Sequence, residues 1–205
     1  MTDEDLLPKA FTKERSLWAI YWKSLRIAPS KFNIISTLVV AAVTIIAVVR
    51  SGQGAQETVA VVRNLASISF ASTLSILGFL VAGFTIFATL TSPAMLIEMG
   101  GRRHPKSGLS WLKHTFFNLL RTFVYLLMYA FVAFFVIYWG APGGVVSMLL
   151  SMTSDPNHYA FCLIKLTFVT LVVGQYFVLV QLKSFIFNVY HSVVGNIRWR
   201  AEGHE

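Results

Sequence analysis

The residues of this chain that could do chemistry are few, and most of them lie beside or inside long apolar runs. Arg121 falls in a run at about 116–139 and Lys165 in another at about 159–187. An ionisable side chain at membrane depth is the default functional candidate. Both have long stems, however, and snorkelling to the headgroups is the favoured reading, Arg121 towards one side and Lys165 towards the other. No run holds an aspartate or glutamate, so the carboxylate relay of a proton-coupled transporter is missing. His104, His114, His158 and His191 are read as lacking a second ligand at metal-binding spacing, which leaves no metal site, and Cys162 as lacking an activating neighbour. There is no GxSxG, HExxH or phosphate-cradling loop. The expectation is a protein with no catalytic, metal-binding or cofactor-binding residues, and hence not an enzyme. Gln175, Gln181 and Asn188 are polar at or near membrane depth. Interhelical hydrogen bonding, worth about 1 kcal/mol each, is the plainer role for them. Lining a narrow wetted pathway is the functional alternative.

The elements that must position these residues are four apolar runs, at about 32–49, 66–92, 116–139 and 159–187. The chain of 205 residues is 56% hydrophobic and only 13% charged, which excludes an ordinary soluble domain. At about 1.5 Å per residue each run approaches or exceeds a hydrocarbon core of about 30 Å. The expected fold is an all-α membrane protein of four transmembrane helices. A short segment around 145–152 could dip into a leaflet or lie on it. The start, with Asp3, Glu4 and Asp5, does not read as a signal peptide. A single cysteine excludes an internal disulfide.

The second run is unlike the others. Ala71, Ser75, Gly78, Ala82, Thr85, Thr89 and Ser92 alternate at spacings of four and three, the beat of a left-handed helix seam. Phe70, Leu77, Phe84 and Phe87 fall elsewhere. In lipid, helices associate through close backbone approach and polar contacts rather than apolar burial, so this seam is expected to pack against another helix, between subunits of a homo-oligomer.

Residues 1–31 form a cytoplasmic N-terminal segment in this reading, 32–190 the transmembrane domain and 191–205 a cytoplasmic tail. Residues 12–27 read as an amphipathic helix on the membrane surface. Trp18 and Trp22 enter the interface and Lys23 and Arg26 reach anionic headgroups, although packing on the protein's own cytoplasmic side would use the same pattern. The densest basic cluster, GGRRHPK at 100–106, brings Arg102, Arg103 and Lys106 to lipid or to a partner's acidic face, beyond its role as topological anchor. Lysine and arginine crowd the N-terminal segment, the 96–115 loop and the tail. The 51–65 region holds only Arg63 beyond the flanking Arg50, and 140–158 holds none. By the positive-inside rule both termini are cytoplasmic. The net charge of +8 is thereby accounted for by membrane topology and anionic lipid, with no direct role for nucleic acid.

This layout, with the spine STLSILGFLVAGFTIFATL, resembles the membrane subunit of the Kiwa antiphage defence system. The resemblance implies an oligomeric sensor of a bacterial inner membrane that works with a cytoplasmic DNA-binding effector, and it carries over no individual residue. The functional expectation is a non-enzymatic, oligomeric membrane sensor or anchor for a cytoplasmic partner, in antiviral defence. The alternative is a small channel or membrane-permeability effector. Reporter fusions at Glu205 and Gly143 should give opposite signals; the same signal from both would remove the four-span topology.

Overall fold

The structure is a computed structural model, and it describes residues 12–51 and 55–203. These are helical almost throughout: α1 Leu17–Ser24, α2 Lys31–Arg50, α3 Ala55–Leu90, α4 Pro93–Gly101, α5 Trp111–Trp139, α6 Val145–Ser151 and α7 Pro156–Ala201. Among the described residues the sole β pairing is an isolated bridge between Arg103 and Ser110. Helices α2, α3, α5 and α7 are each long and apolar enough to cross a membrane. The chain is an all-α, multi-pass transmembrane protein by that measure.

Several boundaries differ from those read in the sequence, for local reasons. The helix expected over 12–27 is confined to α1, because Ser16 caps it by accepting from the Ala19 N–H at 3.2 Å. Pro93 does not simply stop the second span. It occupies the first turn of α4, where its missing N–H costs nothing, while the Ser92 side chain accepts from Met95 N–H at 3.3 Å. The 145–152 segment is helical as α6.

The described residues gather into two compact units. The first takes those of 1–29, 78–125 and 181–205; the second takes those of 30–77 and 126–180. Helices α3, α5 and α7 contribute to both. The first unit is built on aromatic rings: Phe84 meets Phe116 and Phe123 edge-on, at 5.6 and 6.2 Å between centroids, and Phe123 meets Phe185 at 6.1 Å. In this unit Asn196 of α7 donates to the carbonyl of Leu90, the last residue of α3, at 2.5 Å. A helix end that would otherwise lack a partner is thereby satisfied.

The second unit is held by polar side chains reaching across apolar helices. Tyr129 of α5 is buried. Its hydroxyl donates to the Leu171 carbonyl of α7 at 2.7 Å and lies 3.0 Å from Ser69 Oγ of α3, which can donate back. The ring reaches Leu171 because Gly174 leaves room: any Cβ there would run into the Tyr129 ring. Asn33, buried on α2, donates to the Val180 carbonyl at 3.3 Å and so ties the first span to the last.

The Gly174–Tyr129 fit generates a prediction. Gly174→Ala should cost about 1–3 kcal/mol by overpacking. Tyr129→Phe, which removes only the hydroxyl, should cost about 1 kcal/mol. Unfolding titrations in sodium dodecyl sulfate would rank the two, and the reverse order would show that the ring contact is not limiting.

Candidate functional site

The polar residues of the first unit form a buried network around α1. Glu14 is the lone carboxylate between Lys13 and Arg15, and its side chain is 4% exposed. It pairs with Lys113 of α5 through both carboxylate oxygens, at 2.9 and 2.8 Å, and with Lys23 of α1. Burial alone would raise the Glu14 carboxyl, but hydrogen bonds and charge from Lys113 and Lys23 outweigh it and hold the group below 4.5, its ordinary value. Arg121 completes the network. It is buried, and its guanidinium donates to the carbonyls of Ser24 and Ile27, at 3.2 and 2.8 Å, and to Asn118 Oδ1 at 2.9 Å. The snorkelling expected of Arg121 is therefore corrected: the C-terminal carbonyls of α1 give the charge a nearer set of acceptors than headgroups.

One side of α1 is thus fixed to the protein. Tyr21 packs edge-on against Tyr125 at 6.1 Å, and Ile20 packs on a small core of Ile27, Leu109 and Phe117. The other side stays open, with Trp18 56% and Trp22 67% exposed beside exposed Leu17 and Leu25. Packing on the protein itself is thus seen on one side of the segment, and the other side leaves an aromatic face exposed.

The basic loop folds as a tight turn. His104 N–H donates to Leu109 at 2.7 Å, Gly108 N–H returns to His104 at 3.0 Å, and Gly108 takes the positive φ of 70° that closes it. His104 stacks on His114 at 3.6 Å between centroids, with Ser107 Oγ 2.9 Å from His114 Nδ1. Burial first, and Lys106 second, lower the pKa of His104 and keep it neutral. Arg102 pairs with Glu98 at 2.5 Å, and Lys106 is exposed. A cavity of about 340 Å³ lies in the same unit, lined by Met95, Met99, His114, Asn118, Asn188 and His191 among others. Asn188 thus borders a cavity. Gln181 is half-buried in this unit, and Gln175 is half-buried in the second.

The small-residue seam of α3 lies on the outside. Ala71, Ser75, Gly78, Ala82, Thr85 and Thr89 are all exposed, and a Cβ at Gly78 would meet nothing within 4 Å. The chain packs α3 by another heptad-like set, Val62, Ala66, Ser69, Thr73, Leu80 and Phe87. At 3.6 residues per turn that set lies about 180° around the helix from the seam. Large exposed side chains flank the seam, Leu74 and Val81 on one side and Ile68, Phe79 and Ile86 on the other. The seam hydroxyls are not idle donors: Ser75, Thr85 and Thr89 donate to the carbonyls of Ala71, Val81 and Thr85, at 3.0, 2.9 and 3.0 Å. What the seam offers a neighbour is close backbone approach.

No protein family, curated protein or solved structure matches this chain. Among the described residues, no three histidine, cysteine or acidic side chains are grouped to hold a metal ion. Cys162 is exposed and does have a polar neighbour, His158 Nε2 at 3.8 Å, one helical turn away. Glu14 and Lys113 have no site role in the sequence reading. The signal for Glu14 was present in a single acid set among bases, whereas nothing in the spacing tied it to Lys113, 99 residues on.

The Glu14 network predicts how α1 responds to substitution and to acid. Glu14→Gln should weaken docking of α1 by about 2 kcal/mol, since hydrogen bonds between charged groups are lost. The folded-state pKa lies below the unfolded one, so the contribution is full above 4.5 and is lost as pH falls through the lowered folded value. Amide hydrogen exchange over 17–24 should accelerate in the variant at neutral pH, and in the wild type only under acid. Equal exchange at neutral pH would remove the latch.

Proposed function

We propose that this chain is a non-enzymatic, oligomeric protein of a bacterial inner membrane, with both termini cytoplasmic, that senses a membrane event or anchors a cytoplasmic partner. The outward seam of α3 is the observation that carries the reading. A helix that served only its own bundle would turn its small residues inward and large apolar residues to lipid. Here Ala66, Ser69 and Thr73 already serve the inward face beside Leu80 and Phe87, and a second stripe of small residues is left outward as a shallow channel between apolar ridges. Such a channel receives the ridge of another helix, and a second copy of the chain is the simplest source.

The face of α1 suits the sensing part of this role. Trp18 and Trp22 offer amphipathic rings to the interface while Arg26 and Lys106 provide cations for anionic lipid, and Glu14 and Arg121 tie that face to α5. The resemblance to the Kiwa membrane subunit points the same way, towards antiviral defence with a cytoplasmic effector. The second reading, a small channel or permeability effector, is favoured only by the polar lining of the cavity at Asn188 and His191.

Native mass spectrometry in mild detergent tests the assembly. Gly78→Leu should weaken association at least roughly tenfold by forcing the neighbouring backbone outwards. Phe79→Leu, on the adjoining ridge, should leave it intact. A monomeric wild type would remove the oligomer. Ion flux through liposomes that hold the wild type would instead favour the channel.

A further inference from the structure

The second unit contains a cavity of about 350 Å³ that the proposed function does not use. All of its walls come from that unit: Val59, Val62 and Arg63 of α3, Phe135, Val136 and Trp139 at the end of α5, Val146 and Leu150 of α6, and Ala160, Leu163 and Ile164 of α7. The lining is almost wholly apolar, with one charge in it. Arg63 donates from Nη2 to the Gly140 carbonyl at 2.9 Å, just past the end of α5. A guanidinium has five N–H donors, however, and among the described residues the buried Arg63 Nε–H has no partner. The two lining hydroxyls are already engaged, Ser147 with the Gly144 carbonyl at 2.8 Å and Thr167 with the Leu163 carbonyl at 2.8 Å. The cavity thus presents an apolar wall and one cation with a donor to spare.

We infer that this cavity is a binding site for an anionic single-chain amphiphile, a long-chain fatty acid, with its carboxylate on Arg63. Charge complementarity selects the head: the Nε–H and a second guanidinium N–H offer a carboxylate the fork it binds best. Volume selects one chain over two. A cavity of 150 Å³ takes one benzene, so about 350 Å³ holds on the order of a dozen carbons, the greater part of one long chain and not of two. Position fits as well. Tyr138, Trp139 and Tyr159 are exposed at this end of α5 and α7, the pattern of side chains that sit at headgroup level. A carboxylate at that level stays near water while its chain enters the cavity.

The test uses the full-length protein in detergent, titrated with oleate and with methyl oleate and followed by native mass spectrometry. Oleate should saturate at one per chain, and methyl oleate should bind at least about tenfold more weakly, for want of the charged hydrogen bonds. Arg63→Gln should lose oleate to a similar extent. Because Arg63 also holds the Gly140 carbonyl, Ala160→Phe is the second variant: it narrows the cavity, leaves that bond alone and should block oleate. Equal binding of ester and acid, or oleate retained by Ala160→Phe, would overturn the assignment. So would displacement of oleate by equimolar phosphatidylglycerol, which would make the site one for two-chain phospholipid.

Discussion

The carbonyl groups at the ends of helices impose the constraint on which this structure depends. The last turn of any helix leaves acceptors without intrahelical donors, and near a bilayer core water is not there to serve them. In this chain long polar side chains from other helices do so. Arg121 serves the end of α1, Asn196 the end of α3 and Arg63 the end of α5. Each bond spans a large separation in sequence, so each also fixes which helix stands beside which. The polar groups of this protein are therefore few and structurally committed. Where one of them has donors to spare, as at Arg63, the surplus stands out.

The same economy governs the helix interiors. Tyr129 joins α3, α5 and α7 at one hydroxyl, and Asn33 joins α2 to α7, while apolar contact fills the remaining space. Glycine is placed accordingly. Gly174 faces a ring and admits nothing larger, whereas Gly78 faces open space. Two glycines in similar apolar sequence thus have opposite meanings, one a fitted socket and the other part of a vacant surface.

How much of this could be read in the sequence follows from the range of each interaction. The four spans were legible because hydropathy is summed over many neighbouring residues and one substitution cannot erase it. The seam of α3 was legible as a periodicity, since 3.6 residues per turn maps spacing onto a face. Which way that face points was not, because small residues suit an internal and an external contact equally. Arg121 was misjudged for a related reason. Its depth along the run was evident, but its acceptors at Ser24 and Ile27 lie more than ninety residues away. Pro93 lies just past the end of α3 and, behind the Ser92 cap, opens α4, which hydropathy alone does not reveal. The cavity beside Arg63 needed four helices to be assembled before it existed at all.

The hydroxyls on the outer face of α3 have one more consequence. Because Ser75, Thr85 and Thr89 close their hydrogen bonds on their own helix, a neighbour that departs strands no polar atom in lipid. Contacts made there are worth their dispersion energy alone and carry no desolvation penalty on rupture. In the proposed assembly such a face answers to mass action, and the number of chains per unit area of membrane would set how many are paired. Expression level and lateral crowding would then be inputs to the state of the proposed assembly, with no ligand required.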